Sequence, residues 1–433
     1  MEPIYTFHKT AHGYGHIQKG ELCEDASASF RAEDGSFSIA VVADGHGQAR
    51  SFRSRIGSQI AVDVTLSCLK DAAQAVLSSS EETEAFYHCI LGSGHEQHIR
   101  LRQLTDTILS QWNDQIWAYH KTNLPTTEEL GEYEGYYAEE RRIPQIYGTT
   151  LIGALWLSRC LILIQQGDGR CCVFYGDGSC EEPVPWDDRC EGNRTSSLCD
   201  EDVAERVRCR VIDLEENQVA ACYLCTDGVE DAYRNQEGAY VFCKALSCDF
   251  QEKEELFDSY LEEMLPEFSA RGRFGQYGSL DDVSVAGIIN TGILSDLAER
   301  YQKDIQCFQL EEEILCKEAA LQSKKRKHGI LQKRMEAAES AYRDYLERHS
   351  DRQISTEKPY ADFQVGRKLL NGLREAFTDT ETAEVVEEKH RLEDEVMATK
   401  KEFEDYNAQY QEIAAQIRIL QETLAAIKQK DLE

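Results

Sequence analysis

SIAVVADGHGQAR, residues 38–50, reads as a buried strand through Ala43 and then places an acid where the apolar run would continue. Ile39, Val41 and Val42 are β-branched, as strand interiors favour. Asp44 therefore falls at a strand end, where a carboxylate is exposed at the sheet edge, and Gly45 lets the backbone approach a neighbour closely. Asp-Gly alone also marks an ordinary turn. The same pattern recurs, however. ELCEDASASF (21–30) sets Glu24 and Asp25 before an alternating strand, ACYLCTDGVEDAY (221–233) ends a strand in Asp227-Gly228 with Asp231 one helical turn on, and GSLDDVSVAGII (278–289) opens a strand with Asp281 and Asp282. Carboxylates gathered at neighbouring strand ends repel one another unless a cation lies between them. Oxygen donors without paired His and Cys fit Mg²⁺ or Mn²⁺ and argue against zinc.

Bulk properties exclude several classes. At 433 residues two structural units are expected, and a formal charge of −32 disfavours nucleic acid and anionic membranes as partners. MEPIYTFHKT lacks a signal-peptide core and no run is long enough to span a bilayer, so a soluble cytoplasmic protein is expected. Its 16 cysteines are then free thiols. Cys222 and Cys225, the one CxxC pair, lie in a strand pattern that turns them to opposite faces.

Composition divides the chain at about residue 293. Before it come FSIAVVA, TLIGALWL, CLILIQQ, CCVFY, VAACYLC and VSVAGII, with helical patterns at 51–78, 101–120 and 252–268. The stretch at about 80–146, containing GEYEGYYAEE, reads as a solvated loop and helix, a cover for the site or a docking surface. After residue 293 only Pro359 interrupts a Glu-, Lys- and Leu-rich sequence. Leu392, Val396, Thr399, Phe403, Tyr406, Tyr410, Ile413, Ile417, Leu420, Leu424 and Ile427 step by four and three, the spacing of a coiled-coil seam. Leu331, Met335, Ala338, Tyr342 and Tyr345 step likewise before SDRQISTEKPY, and a short helix is expected at about 360–377. An antiparallel hairpin or three-helix arm satisfies both stripes, and so does a dimeric coiled coil.

ED-A at 24–26, DGHG at 44–47, YGTT at 147–150, GDGR at 167–170, TDGVED at 226–231 and DDVS at 281–284 stand in the order found in the metal-dependent protein phosphatases. Over about residues 10–290 the chain resembles these type 2C serine/threonine phosphatases, especially their bacterial branch. The resemblance implies an α+β fold, a four-layer α-β-β-α sandwich of two antiparallel sheets flanked by helices, here residues 1–293, followed by an all-α coiled-coil arm, 294–433. It also implies two Mn²⁺ or Mg²⁺ ions and a weaker third. Asp44 and the Gly45 carbonyl, Asp227 and Asp281 would be ligands, Glu24 and Asp25 would act directly or through water, Asp168 and Asp231 would hold the third ion, and His46 would be the general acid. The implied reaction is hydrolysis of phosphoserine or phosphothreonine by a metal-activated water, opposing a cognate kinase.

Other readings stand beside these. Asp168 lies in LILIQQGDGRCCVFY, where Asp-Gly between apolar runs is also a hairpin signal. Asp231 also suits a helix N-terminus, His46 also reads as a polar strand-end residue, and Asp282 reads as an outer or solvent-facing acid. Gly20 occupies the position of the family's phosphate-gripping Arg, so His16 and Lys19, or one of Arg50, Arg53 and Arg55, are candidates to bind substrate. The arm is expected to mediate homodimerisation or partner docking. The alternative function is a weak or inactive phosphatase-like scaffold acting through its coiled coil.

Overall fold

In the computed structural model, residues 4–92, 94–191, 194–274, 277–349 and 380–429 are described. Among the described residues ten strands, β1 Ile4–Ala11, β2 Ala26–Arg31, β3 Phe37–Ala43, β4 Leu151–Leu157, β5 Cys160–Gln166, β6 Arg170–Tyr175, β7 Cys180–Glu181, β8 Arg208–Asp213, β9 Val219–Cys225 and β10 Val283–Asn290, form two sheets. One has the order β1-β10-β9-β6-β7 and the other β2-β3-β4-β5-β8, with every pairing antiparallel. The expected sandwich of two antiparallel sheets flanked by helices is thus the observed fold.

Burial on both faces explains why the central strands are apolar without alternation. In β3, Ala40 and Val42 pack between the sheets with Ile152, Ala154, Val173, Leu224 and Ile288. Ile39, Val41 and Ala43 face the other way, onto Val62, Leu69, Ile108, Trp112 and Ile116 of helices Ser54–Val76 and His95–Thr122. A third layer sets Phe7, Phe174 and Tyr223 against Phe242, Phe257, Leu261 and Phe268 of helices Gln236–Lys253 and Phe257–Arg271. Cys222 lies between the sheets and Cys225 under the helices, on opposite faces as the strand period requires.

Helices differ from the sequence reading in two places. The pattern at 252–268 resolves into the end of one helix and most of another, divided at Glu254, whose φ of 45° leaves the helical region. The stretch at 80–146 is more than a solvated loop and helix: helices Ser80–Ile90 and His95–Thr122 bury Tyr87, Ile90, Ile108, Trp112 and Ile116 in the core, Trp112 Nε1 donates to Gly57 O at 3.1 Å, and GEYEGYYAEE is largely exposed.

The chain divides into two compact units, Met1–Gln309 and Leu310–Glu433. In the second, the latter part of helix Ala298–Arg348 runs antiparallel to helix Thr380–Gln429. Contacts pair Lys317 with Gln416, His328 with Asn407, Arg334 with Glu402 and Tyr342 with Glu393, one number falling as the other rises. Leu331, Ala338, Tyr345, Thr399 and Ile417 are buried along this seam, so the apolar stripes cover each other within one chain. The short helix expected at about 360–377 lies outside the described residues.

A methyl group built on Gly57 would lie 1.9 Å from the Tyr147 carbonyl oxygen, backbone that cannot yield cheaply. Gly57→Ala is expected to cost about 1–3 kcal/mol through overpacking, read as a lower urea midpoint for unfolding of the first unit.

Candidate active site

Asp44 is fixed by the strand that precedes it and by the Thr149-Thr150 pair leading into β4. Its N–H donates to Thr150 Oγ1 at 2.9 Å, while its carbonyl accepts from Thr150 N and Thr149 Oγ1, both at 2.8 Å. Gly45 passes so close to the next segment that a Cβ there would meet Glu24 O at 2.7 Å and Ser54 C at 2.9 Å. The sharp turn after the strand therefore needs glycine, and it leaves the Asp44 side chain free of backbone duties.

Asp44, Asp168 and Asp227 converge, each offering an oxygen within 4.8 Å of the others'. They come from both sheets: Asp44 follows β3 in one, Asp227 follows β9 in the other, and Asp168 sits where β5 ends and β6 begins. Those last two strands belong to different sheets, so the hairpin reading of GDGR is overturned; the turn crosses between the sheets and delivers Asp168 to the cluster. Burial first, then the neighbouring carboxylates, raises the pKa of Asp44 and Asp227 well above the usual carboxylate range. Asp25 is buried, accepts from Thr226 Oγ1 at 2.7 Å, and is pushed up to about 7, mainly by burial. Asp168, Asp231 and Asp281 are raised too, burial again leading. Asp231 follows a four-residue helix rather than starting one, so the N-terminal reading of that residue fails.

Glu24 is held through both its side chain and its backbone. Its Oε2 accepts from Ser54 Oγ at 2.8 Å, and its N–H donates to Asp282 Oδ2 at 2.7 Å. Asp282 is only 3% exposed, which corrects the solvent-facing reading. With Oδ1 accepting from Gly13 N at 2.6 Å, it ties two N-terminal segments to the start of β10. His16 lies beside this knot, Nδ1 3.2 Å from Asp282 and Nε2 3.5 Å from Asp281. Lys19 is exposed, 3.6 Å from Glu21. His46 packs over Gly148 so closely that a Cβ there would collide with its ring at 2.7 Å. Burial, then the Arg50 charge, lowers its pKa to about 4, leaving a neutral imidazole at neutral pH.

The donor set fits a divalent cation. Asp168 Oδ1 is buried without a hydrogen-bond partner, and the surrounding acids hold pKa values raised by burial and by one another. All the donors are hard oxygens. The family model described as Protein phosphatase 2C matches residues 12–268. The chain belongs to the protein phosphatase 2C family.

As a protein phosphatase 2C it is a metal-dependent phosphoprotein phosphatase. No curated protein matches the chain. Among solved structures, a serine/threonine phosphatase from Staphylococcus aureus is 18% identical with a TM-score of 0.40, the match covering 67% of this chain and 95% of that one. The S. agalactiae serine/threonine phosphatase is 17% identical with a TM-score of 0.38, over 66% and 99%. The catalytic domain of the phosphatase PstP, in complex with two manganese ions, is 15% identical with a TM-score of 0.36, over 66% and 97%. Membership of the phosphatase family rests on the sequence match.

Sequence reasoning missed the hydroxyls of Thr226, Thr150 and Ser54 that orient this phosphatase's acids. TDGVED and YGTT carried the threonines, but nothing in either motif says which oxygen receives the proton.

Raised carboxylate pKa values have a stability consequence. Without metal, the folded state binds more protons than the unfolded chain between the ordinary carboxylate pKa and the raised ones, so stability falls as pH rises through that window. For Asp25 the window runs from 3.8 to about 7. In EDTA, the melting temperature is expected to drop from pH 5 to pH 8, and Asp44→Asn to melt higher than wild type at pH 8. Mn²⁺ should raise the wild-type melting temperature at pH 8 and raise that of Asp44→Asn much less.

Proposed function

We propose that this chain hydrolyses phosphoserine and phosphothreonine in protein substrates, using two Mn²⁺ or Mg²⁺ ions and a weaker third. The observation that carries this reading is the convergence of Asp44, Asp168 and Asp227 from both sheets on one point. Asp44, the Gly45 carbonyl, Asp227 and Asp281 would hold the two ions, with Asp25 and Glu24 beside them, and Asp168 with Asp231 would hold the third. Such ions, when bound, lower the pKa of water and offset the charge of the phosphoryl group.

The chain's own residues supply positions and protons. Thr226 and Thr150 orient Asp25 and the Asp44 backbone, and Asp282 fixes the segment that carries Glu24. His46 is neutral, so it offers the departing serine or threonine oxygen a hydrogen bond from a ring N–H rather than a full positive charge. Cys199, which adjoins His46 across Gly148, is pushed up to about 11 by burial, and burial raises Cys23 as well. Neither thiol is a thiolate at neutral pH, which favours water as nucleophile over a cysteine route.

We assign the helical arm to partner docking, since its seam is covered within one chain and does not itself call for a second copy. A cytoplasmic site of action and an opposing kinase belong to the same proposal. Among the described residues no helix is long and apolar enough to cross a membrane.

Hydrolysis of a phosphothreonine peptide is expected with Mn²⁺, to stop in EDTA, and to fall roughly 10²–10³-fold in Asp44→Asn, the scale of losing one transition-state-stabilising group. Mn²⁺ binding without turnover in wild type would favour the scaffold reading.

A further inference from the structure

Charge is unevenly spread along this chain. It carries 79 acids against 47 Lys and Arg, yet KKRKHGILQKR, residues 324–334, holds six Lys and Arg and no acid. The run lies within helix Ala298–Arg348, in the second unit. No acid stands three or four positions from Lys325, Arg326 or Lys327, the spacings at which a helix pairs its charges. Arg334 does find a carboxylate, Glu402 at 3.3 Å, and Lys324 and Lys327 sit over the Tyr406 ring, 5.2 and 5.0 Å from its centre. Lys325, Arg326 and Lys333 are exposed and have no acidic partner among the described residues.

Two further departures fall in the same run. Gly329 stands in a helix interior, where glycine is unfavourable. A methyl group built on it would meet nothing within 4 Å, so no close packing inside the chain requires it. Ile330 is 56% exposed. Arg326, Ile330 and Lys333 step by four and three, so they share one face beside Gly329, and that face turns away from the seam that buries Leu331 and Ala338. Unpaired cations, an exposed isoleucine and an unneeded glycine each break a local rule, and no contact within the chain offsets them. Such clustered departures mark functional surfaces.

We propose that the face formed by Arg326, Gly329, Ile330 and Lys333 docks an acidic segment of a partner protein. The inference rests on the assignment of the arm to partner docking. Ile330 meets an apolar side chain of the segment, the two cations take carboxylates on either side of it, and Gly329 lets the partner's backbone approach. Size selects a short segment over a nucleic acid or a membrane. The run extends about 15 Å along the helix, and acids border it: Glu313 and Glu318 before it, Glu336 and Glu339 after it, and Glu402 on the facing helix. A phosphate backbone or an anionic bilayer continues past the cations onto those acids. A segment of two or three turns does not.

The probe is a labelled helical peptide with one Leu flanked by Glu on a single face, set against an isomer of the same composition whose Glu residues are scattered around the helix. Anisotropy with the full chain should show the patterned peptide binding on the order of 10-fold tighter than the isomer, and less tightly as salt rises. Arg326→Glu combined with Lys333→Glu should weaken it by on the order of 10- to 100-fold, and Ile330→Ala by less. Helical content by circular dichroism should be unchanged, and Arg326→Gln with Lys333→Gln, which keeps good helix formers, should show a smaller loss of binding. Hydrolysis of a phosphothreonine peptide should match wild type in all of these variants. Affinity within about two-fold of wild type in the double Glu variant would overturn the proposal, and so would equal binding of the two isomers or none of either. Loss of binding only in Lys400→Glu with Lys401→Glu, exposed on the facing helix, would overturn this face and leave docking by the arm intact. A DNA duplex or phosphatidylserine vesicle that outcompetes the peptide at this face would overturn the choice of partner.

Discussion

Mutual repulsion among carboxylates gathered at the strand ends is the interaction on which this structure turns. Asp25, Asp44, Asp168, Asp227, Asp231 and Asp281 hold raised pKa values, burial being the leading cause and other carboxylates adding to it. Left to themselves these groups would separate. They stay together because Asp25, Asp44, Asp168, Asp227 and Asp281 lie at the ends of strands or on the turns beside them and Asp231 follows a short helix, and the strands are locked by apolar packing on both faces. The electrostatic cost in the metal-free protein is therefore also the source of selectivity: a divalent cation relieves it, and a neutral ligand does not.

Hydroxyls and backbone amides do the local positioning. Thr226 holds Asp25, Thr149 and Thr150 hold the Asp44 backbone, and Ser54 holds Glu24. Asp282 bonds to Gly13 N and Glu24 N, so the N-terminal segments are anchored to the last strand of the sandwich across most of the first unit's sequence.

The resting chemistry also narrows. Burial keeps the adjacent thiols protonated and His46 neutral, so neither brings charge of its own to the centre. The Leu310–Glu433 unit pairs two long helices along a seam of its own, with its own polar contacts such as His328–Asn407 and Tyr342–Glu393.

Much of this was legible in the residues. Strands buried on both faces announce themselves as unbroken apolar runs, and β3, β4, β5, β6, β9 and β10 were read that way; the four-and-three stepping of Leu392 to Ile427 likewise marked one covered face of a helix. Of the edge strands, β2 was legible by its alternation and the others were not. In β1, IYTFHKTA, and β8, RCRVID, polar and charged side chains interrupt the apolar ones, and the pairing that makes them strands comes from β10 and β5. The same limit applied within the site. Sequence placed acids at strand ends because local backbone preference and burial are encoded locally. Which acids meet, that GDGR crosses between sheets, and that Asp282 is buried were decided by contacts between residues far apart in the chain. Glu24 N and Asp282 Oδ2 are 258 positions apart and 2.7 Å apart in space; no local period reports such a bond, because it exists only once both sheets have closed.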